Sequence, residues 1–187
     1  MNEEQFLTEY LKECAGFLTE IDVRQRIISA KEMILRTKES GGKVIFSGNG
    51  ASASIANHAS LDFTKQGGVR SINFNESAFI TAFANDYGYD HWVSKALECH
   101  AEAVDTLVLI SCSGTSANVV NAARYAQENG ISVITFTGFS SSNPLKSAGD
   151  INFWLDSKAY NIIEGIHQIW LLTIVDMIIG KSEYTAS

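Results

Sequence analysis

Two short segments rich in serine and glycine are the clearest candidates for a binding site. They are SGNGASAS at residues 47–54 and SCSGTSANV at residues 111–119, and each follows a short apolar run that is typical of a buried strand. Glycine lets the backbone approach an oxyanion closely, and serine and threonine hydroxyls donate hydrogen bonds without carrying charge. Together the segments predict a phosphate-monoester site at the carboxyl ends of two strands. The alternative for each segment is an ordinary strand-to-helix turn with serine as the helix N-cap.

A second group of residues could supply acid–base or metal chemistry. His58 and Asp62 are four residues apart, and Glu164 and His167 are three apart, so each pair shares one face of a helix. Zinc takes nitrogen and oxygen ligands, so the two pairs would form a metal site if they met. The alternatives are an ordinary surface contact between His58 and Asp62, and histidines that are hydrogen-bonded packing residues.

The apolar pattern after residue 41 predicts alternating strands and helices. Short apolar runs flanked by turn residues predict strands at 43–50, 103–114, 131–138 and 150–156, with a weaker strand at 69–74. Helical spacing lies between and after them, at 52–65, 78–97, 116–129 and 160–179. This alternation is typical of an open parallel sheet with helices on both faces. The predicted fold is therefore a three-layer α/β/α arrangement.

The first 40 residues are predicted to be helical. Apolar residues recur there at three- and four-residue steps, with a break at Gly16 and residues 19–22, and Gly41 and Gly42 end the second helix. A chain of 187 residues is long enough for one substantial core and too short for two. We therefore expect a single domain over 1–187, with 1–40 used in packing and oligomerisation and 41–187 forming the α/β core.

Charge and cysteine content predict a cytoplasmic protein that binds neither nucleic acid nor membrane. The formal net charge is -7, and the basic residues are scattered, so the surface repels polyanions. Three cysteines, without a CxxC pair, are typical of a reducing compartment. The N-terminus carries acids where a signal peptide is basic. The longest apolar run, residues 166–180, is interrupted by His167, Gln168 and Asp176 and predicts a buried helix.

Three longer stretches resemble a known family. GNGASASIANHASLDF, FANDYGYDHWVSKALE and ISCSGTSANVVNAARYAQENGISVITFTG closely resemble successive motifs of bacterial phosphoheptose isomerases, a branch of the SIS (sugar isomerase) superfamily, and the resemblance covers nearly the whole chain. It implies a five-stranded parallel sheet flanked by helices, and a homotetramer that binds a phosphorylated sugar at subunit interfaces. The implied activity is isomerisation of sedoheptulose 7-phosphate to D-glycero-D-manno-heptose 7-phosphate through an enediolate, for surface-polysaccharide precursors.

The resemblance also assigns binding residues. Cys112 stands where the family usually has threonine, and it is also interpreted more simply as a small buried filler. The matched positions are Ser111, Ser113 and Ser116 for the phosphate, Asn49 and Ser52 for the sugar hydroxyls, and Glu76 for a family aspartate near the sugar.

In the family, a glutamate on the helix after GNGxSA and a histidine on the last helix share the acid–base work, and some members hold zinc nearby. Asp62 matches the glutamate, one methylene shorter, and is the predicted base. Leu172 stands at the position of the catalytic histidine, so Glu164, His167 or a metal would provide the acid. Zinc, if present, would be held by His58, Asp62 and Glu164; no cofactor is required by the resemblance.

Leu172 leaves two other functions open. One is a non-catalytic SIS module that binds a sugar phosphate and regulates a protein partner. The other is an isomerase for a different phosphosugar, in which the altered catalytic positions reflect changed specificity.

Overall fold

The strands form one parallel sheet. The computed structural model describes residues 2–184. The strands are β1 Val44–Gly48, β2 Ser71–Asn73, β3 Thr106–Ser111, β4 Ser132–Thr137 and β5 Ile151–Trp154. They lie in the order β2-β1-β3-β4-β5, and every neighbouring pair is parallel. The prediction of a five-stranded parallel sheet is confirmed.

Helices cover both faces of this sheet. In chain order they are α1 Glu3–Thr19, α2 Arg24–Glu39, α3 Ala51–Lys65, α4 Ser77–Tyr87, α5 Trp92–His100, α6 Ala117–Glu128, α7 Pro144–Ala148 and α8 Tyr160–Ile179. The first three helices and α8 form one layer, and α4 to α7 form the other. The predicted three-layer arrangement is therefore present.

Alternation along the strands divides the apolar residues between two cores. In β1, Val44 and Phe46 belong to the core under α2, α3 and α8, and Ile45 belongs to the core under α5 and α6. Every residue of β1 and β3 is buried, as expected for central strands covered on both faces. These two strands form the rigid base from which the serine-rich segments leave the sheet.

The prediction of one helix over 78–97 is wrong. The chain forms α4 and α5 instead, because Gly88 has a φ of +79°, in the left-handed region that glycine adopts without strain. The Gly88 N–H donates to the Ala84 carbonyl and ends α4. Residues 88–91 therefore form a loop between the two helices, and this loop carries Tyr89.

Two other boundaries differ from the sequence prediction. The first helix continues through Gly16 to Thr19, so the chain breaks after Thr19 and not at the glycine. The polar segment at 140–144 leads into α7, a short helix that is not among the predicted elements. Asn143 caps this helix by accepting a hydrogen bond from the Lys146 N–H, and Pro144 occupies its first turn.

The last helix is long and apolar enough to cross a membrane by length and composition alone. Of its most apolar 18-residue window, 44% is buried within the chain. It packs against α1, α2 and α3, and a buried core helix of a globular protein passes the same test. This packing agrees with the buried helix that the sequence predicts.

Few side chains of α1 are shielded from solvent by the rest of the chain. The helix has no buried residue, and Phe6, Leu7 and Leu11 are each more than half exposed. An exposed apolar stripe of this kind agrees with the predicted role of residues 1–40 in oligomerisation, which stays a prediction.

Candidate functional site

The cleft lies where the strand order reverses. From β1 the chain moves outward to β2 and then returns to β3 on the other side of β1. Open parallel sheets bind ligands at such a switch point, beyond the carboxyl ends of the strands. A cleft of about 140 Å³ lies there, lined by Asn49, Ser52, Ile110, Ser111, Cys112, Ser113, Ser116, Tyr160 and Glu164.

The two serine-rich segments meet in this cleft. The segment after β1 contributes Asn49 and Ser52, and the segment after β3 contributes its three serines and Cys112. Every substrate-binding residue predicted from the sequence therefore lines the cleft except Glu76. Sequence reasoning assigned no role to Ile110 or Tyr160, which also line the cleft.

The loop after β3 has a fixed shape. Gly114 has a φ of +64°, and its N–H lies 3.0 Å from the Ser111 carbonyl and 3.2 Å from the Ser111 hydroxyl. A side chain at this position would overlap Asn143, so only glycine fits. The Gly114 carbonyl in turn accepts a hydrogen bond from the Leu145 N–H at 3.1 Å. The loop is thus formed before any ligand arrives.

This loop presents uncharged donors. Ser116 precedes α6 in an extended conformation, and in residues 2–184 its side chain makes no capping hydrogen bond. Its hydroxyl lies 3.3 Å from the Ser111 hydroxyl. The first N–H groups of α6 have no partner within the helix, and the helix dipole places partial positive charge there. No lysine, arginine or histidine is among the cleft residues that the structure describes. Hydroxyls and a helix N-terminus would therefore hold an anion.

Glu164 is the carboxylate of the cleft, and Cys112 is its partner. The Cys112 thiol lies 3.7 Å from Glu164 Oε1. Burial, followed by the negative charge of Glu164, raises the pKa of the Cys112 thiol to about 12. The thiol therefore stays protonated at neutral pH and donates to the carboxylate. Because a thiolate is the nucleophilic form of cysteine, Cys112 orients Glu164 and does not itself attack a ligand.

Asn49 is held by two residues that sequence reasoning missed. Its amide pairs with the Asn118 amide through two hydrogen bonds of 2.9 Å, and the Tyr89 hydroxyl donates to Asn49 Oδ1 at 3.0 Å. Asn118 lies in the first turn of α6 and is 2% exposed. Tyr89 and Asn118 both lie within the motifs that resemble the family, so the sequence did mark these positions. The motifs do not show which residues contact each other.

His58 and Asp62 form a pair on α3, outside the cleft. His58 Nε2 lies 3.1 Å from Asp62 Oδ2, and the Gln168 amide lies 3.1 Å from His58 Nδ1. Asp62 follows Ser52 by ten residues, about 15 Å along a helix. The predicted base therefore does not line the cleft of its own chain.

The predicted zinc ligands do not come together within one chain. Glu164 lies in the cleft, whereas His58 and Asp62 contact each other on the surface of α3. In the part of the chain that the structure describes, no three histidines, cysteines or acids are placed to hold a metal ion. The ligand set of a single chain does not fit zinc, so no chemical step is assigned to a metal.

His167 lies in the core and not in the cleft. Its ring is 0% exposed, packs edge-on to Phe136, and has Nε2 3.0 Å from the Thr137 carbonyl. Since a carbonyl only accepts, Nε2 carries the hydrogen. Burial lowers the pKa of His167 to about 4, so the ring is neutral. This placement argues against the predicted catalytic role of His167, which instead ties α8 to the end of β4.

Glu76 and Leu172 also lie away from the cleft lining. Glu76 caps α4, where its carboxylate accepts hydrogen bonds from the N–H groups of Ala78 and Phe79, and these bonds lower its pKa. Glu76 does not line the cleft of its own chain, and its place near the sugar stays a prediction. Leu172 is partly buried and packs against the core on the α8 side of the sheet.

Comparison with known proteins agrees with this geometry. A family model described as SIS domain matches residues 9–138. A probable phosphoheptose isomerase from Thermoplasma acidophilum is 34% identical over 177 residues, which are 91% of this chain and 93% of that protein. A phosphoheptose isomerase from Enterobacter sp. strain 638 is 31% identical over 173 residues, covering 90% of this chain and 88% of that protein.

The fold is also similar to those of solved phosphoheptose isomerase structures. Phosphoheptose isomerase GmhA from Neisseria gonorrhoeae superimposes with a TM-score of 0.87 at 27% identity, covering 95% of this chain and 99% of that chain. A phosphoheptose isomerase from Francisella tularensis gives a TM-score of 0.88 at 26% identity, covering 97% and 100%. The fold, the cleft at the switch point and these relatives together show that the chain belongs to the SIS domain family and, within it, to the phosphoheptose isomerases.

Proposed function

We propose that this chain is an aldose–ketose isomerase that converts sedoheptulose 7-phosphate to D-glycero-D-manno-heptose 7-phosphate. One observation carries the proposal: a preformed loop of hydroxyls, the N-terminus of α6 and the Glu164 carboxylate share a single cleft. The loop suits a phosphate group and the carboxylate suits proton transfer, which are the two requirements of the reaction. The family supplies the identity of the sugar.

The phosphate is held by neutral donors. The hydroxyls of Ser111, Ser113 and Ser116 and the first N–H groups of α6 surround the place where a dianion would lie. Asn49 and Ser52, at the end of the neighbouring strand, form the opposite side of the cleft and contact the sugar. Binding by hydroxyls and backbone groups avoids placing a lysine beside Glu164, where it would pair with the catalytic carboxylate.

Glu164 moves the proton between the two reacting carbons. Its carboxylate removes a proton from C1 of the ketose, which gives an enediolate, and returns the proton to C2 to give the aldose. The hydroxyl proton on O1 passes to O2, so atoms and charges balance. The Cys112 thiol occupies one side of the carboxylate and orients it for this transfer.

We also propose that the active assembly is a cytoplasmic homotetramer, in which the His58 and Asp62 pair faces a neighbouring copy. Leu61, next to Asp62, is 58% exposed, and Ile169, next to Gln168, is 47% exposed. Exposed apolar side chains next to a polar pair are typical of a surface that another subunit covers. Asp62, which the sequence predicts as the base, would then lie at an interface, and zinc would need ligands from two chains.

Solvent deuterium exchange tests the proposed reaction. Purified protein is incubated with sedoheptulose 7-phosphate in deuterium oxide, and we expect deuterium at C1 of the ketose and C2 of the aldose. Binding of the sugar phosphate without exchange would contradict catalysis on this substrate. Repeating the measurement with a chelator, and then with added zinc, shows whether a metal takes part.

A second candidate is isomerisation of a different phosphosugar. The observation that favours it is Leu172, an apolar side chain packed on the core at the position of the family's catalytic histidine. The same exchange measurement with other ketose phosphates separates the candidates. Exchange that is faster with a five- or six-carbon ketose phosphate than with sedoheptulose 7-phosphate would establish the second one.

A further inference from the structure

We infer that Tyr89 is a positioning residue that, together with Asn118, locks the Asn49 amide so that it offers the ligand a hydrogen-bond donor and no acceptor. The inference rests on the proposed function and deepens it, because it states which atoms of the sugar phosphate Asn49 recognises. It also assigns a role to the loop between α4 and α5, which the cleft lining does not include.

The argument begins from the hydrogen-bonding capacity of an amide. The oxygen of asparagine has two lone pairs, and its nitrogen carries two hydrogens. Asn49 Oδ1 accepts from Asn118 Nδ2 at 2.9 Å and from the Tyr89 hydroxyl at 3.0 Å, so both lone pairs are used. Asn49 Nδ2 donates one hydrogen to Asn118 Oδ1 at 2.9 Å. The second hydrogen on Nδ2 is what remains for a ligand.

The orientation of the two amides determines which atom of Asn49 is left for a ligand. Two facing amides form the same two hydrogen bonds if both rotate by 180°, so Asn118 alone does not fix which atom of Asn49 faces the cleft. In the orientation that the structure shows, Asn49 Oδ1 faces the Tyr89 hydroxyl, which donates to it at 3.0 Å and takes its second lone pair. The second hydrogen on Nδ2 is then the group that Asn49 can offer to a ligand.

The loop that carries Tyr89 is fixed from two directions. The His91 N–H donates to the Gly88 carbonyl at 3.1 Å, and the Asn121 amide donates to the Asp90 carbonyl at 2.8 Å. The second bond joins the loop to α6, the same helix that carries Asn118. Tyr89 and Asn118 are therefore held on one support while they act on Asn49.

The group that Asn49 recognises must accept a hydrogen bond. A phosphate oxygen meets this requirement, and so does the carbonyl or enediolate oxygen of the sugar. The sequence predicts that Asn49 faces the sugar hydroxyls, and the locked amide restricts that contact to an oxygen lone pair. An N–H directed at a developing oxyanion would also stabilise the enediolate.

Side-chain amide NMR of the full chain tests the orientation directly. The Asn49 amide signals are assigned by their loss in Asn49→Asp. Inorganic phosphate and sedoheptulose 7-phosphate are then added separately, and we expect an Asn49 amide proton to shift. A shift with phosphate alone assigns the acceptor to the phosphate group, and a shift with the sugar phosphate only assigns it to the sugar. Amide protons that stay in place, whether or not the Asn49 carbonyl carbon shifts, would overturn the inference.

Kinetics test the role of the tyrosine hydroxyl. Tyr89→Phe removes the hydroxyl and keeps the ring, and we expect kcat/KM to fall about three- to tenfold, the loss of one neutral hydrogen bond. Tyr87→Phe is the matched control, because Tyr87 lies one residue before Gly88 and is similarly exposed. We expect it to retain wild-type kcat/KM and the same unfolding midpoint as Tyr89→Phe. Equal kcat/KM in the two variants would overturn the role of Tyr89.

The two proposals fail in distinguishable ways. A wild-type chain that turns over no sugar phosphate contradicts the proposed function, and the phosphate-induced shift of the Asn49 amide still tests the inference. A wild-type chain that turns over its substrate, with Tyr89→Phe unaffected, contradicts the inference alone.

Discussion

The two ends of β1 and β3 differ in whether their polar groups are paired within the protein. At the amino ends of β1 and β3, here called the closed end, Lys43 Nζ lies 2.6 Å from Asp105 Oδ2, and the Lys43 N–H donates to Asp105 Oδ1. The buried hydroxyls of Thr37 and Thr106 lie 2.6 Å apart. The closed end, formed by these four residues, pairs its polar groups with one another.

At the carboxyl ends of the same strands, here called the open end, the cleft residues leave hydrogen-bonding capacity unused. The hydroxyls of Ser111 and Ser116 are 3.3 Å apart, a long and weak contact, and the α6 N-terminus has free N–H groups. Among the residues that the structure describes, the Cys112 thiol is the one donor to Glu164. Paired groups stabilise the fold, and unpaired groups are available to a ligand. Substitutions at the closed end should therefore reduce stability, and substitutions at the open end should reduce function.

The largest expected effect is at the open end, in Glu164→Gln. The change removes the proton-transfer group and keeps the shape, so we expect kcat to fall by about 10² to 10⁴-fold. Isomerisation of sedoheptulose 7-phosphate measures the rate, and urea denaturation should show unchanged stability. If kcat were within a few-fold of wild type, Glu164 would not be the acid–base group and the open end would serve binding alone.

The closed end is tested by Asp105→Ala. The Asp105 side chain is 1% exposed and the Lys43 side chain is 13% exposed, so the change leaves a partly buried lysine without its partner. We expect the free energy of unfolding to fall by about 3 to 5 kcal/mol, measured by urea denaturation. The kcat of the folded variant should equal that of wild type.

The exposed pair of Lys95 and Glu98 provides a control for Asp105→Ala, because both side chains are well exposed to solvent. Glu98→Ala should leave the urea midpoint unchanged within error. A large loss of kcat in Asp105→Ala at temperatures where the variant is folded would show that the closed end also shapes the cleft, and the comparison would fail.

His167 predicts a pH effect of intermediate size. Burial lowers its pKa from 6.5 to about 4, so the unfolded chain binds the proton more readily than the folded chain does. The stabilisation is present above pH 6.5 and is lost as the pH falls toward 4. Between pH 7 and pH 4.5, the free energy of unfolding of the wild type should fall by roughly 2 to 3 kcal/mol more than that of His167→Gln. Identical pH dependence would mean that His167 is not buried as described.

The smallest of these effects is expected for Ser113→Ala. The change removes one hydroxyl from the phosphate loop, so we expect the affinity for sugar phosphate to fall by about five- to tenfold, measured by calorimetry. Ser54→Ala is the control, because Ser54 is exposed on α3 and does not line the cleft. Equal affinity in the two variants would mean that Ser113 does not contact the phosphate.

The sequence was sufficient for the sheet and for the serine-rich side of the cleft. Buried parallel strands have a local signature, and a strand fixes the direction in which its following loop leaves the sheet. The order of residues alone therefore places Ser111, Ser113 and Ser116 at one edge of the sheet, with Asn49 and Ser52 at the neighbouring strand end, and all five line the cleft. The family resemblance added the identity of the fold.

The sequence was not sufficient for groups whose surroundings depend on tertiary packing. Glu164 and His167 are three residues apart on α8, yet one faces the cleft and the other is buried. Their helix surface lies at the boundary between cleft and core, and spacing does not locate that boundary. The Tyr89 hydroxyl meets a side chain 40 residues earlier in the chain, a contact that no local pattern encodes. Apolar spacing alone predicted one helix over 78–97, whereas in the structure α4 ends at Gly88.

A crystal structure of the chain with sedoheptulose 7-phosphate tests the central claim most directly. We predict phosphate oxygens within hydrogen-bonding distance of Ser111, Ser113 and Ser116, and the C1 and C2 atoms of the sugar next to Glu164. A sugar phosphate bound elsewhere, with no phosphate oxygen within hydrogen-bonding distance of these three hydroxyls, would contradict the account.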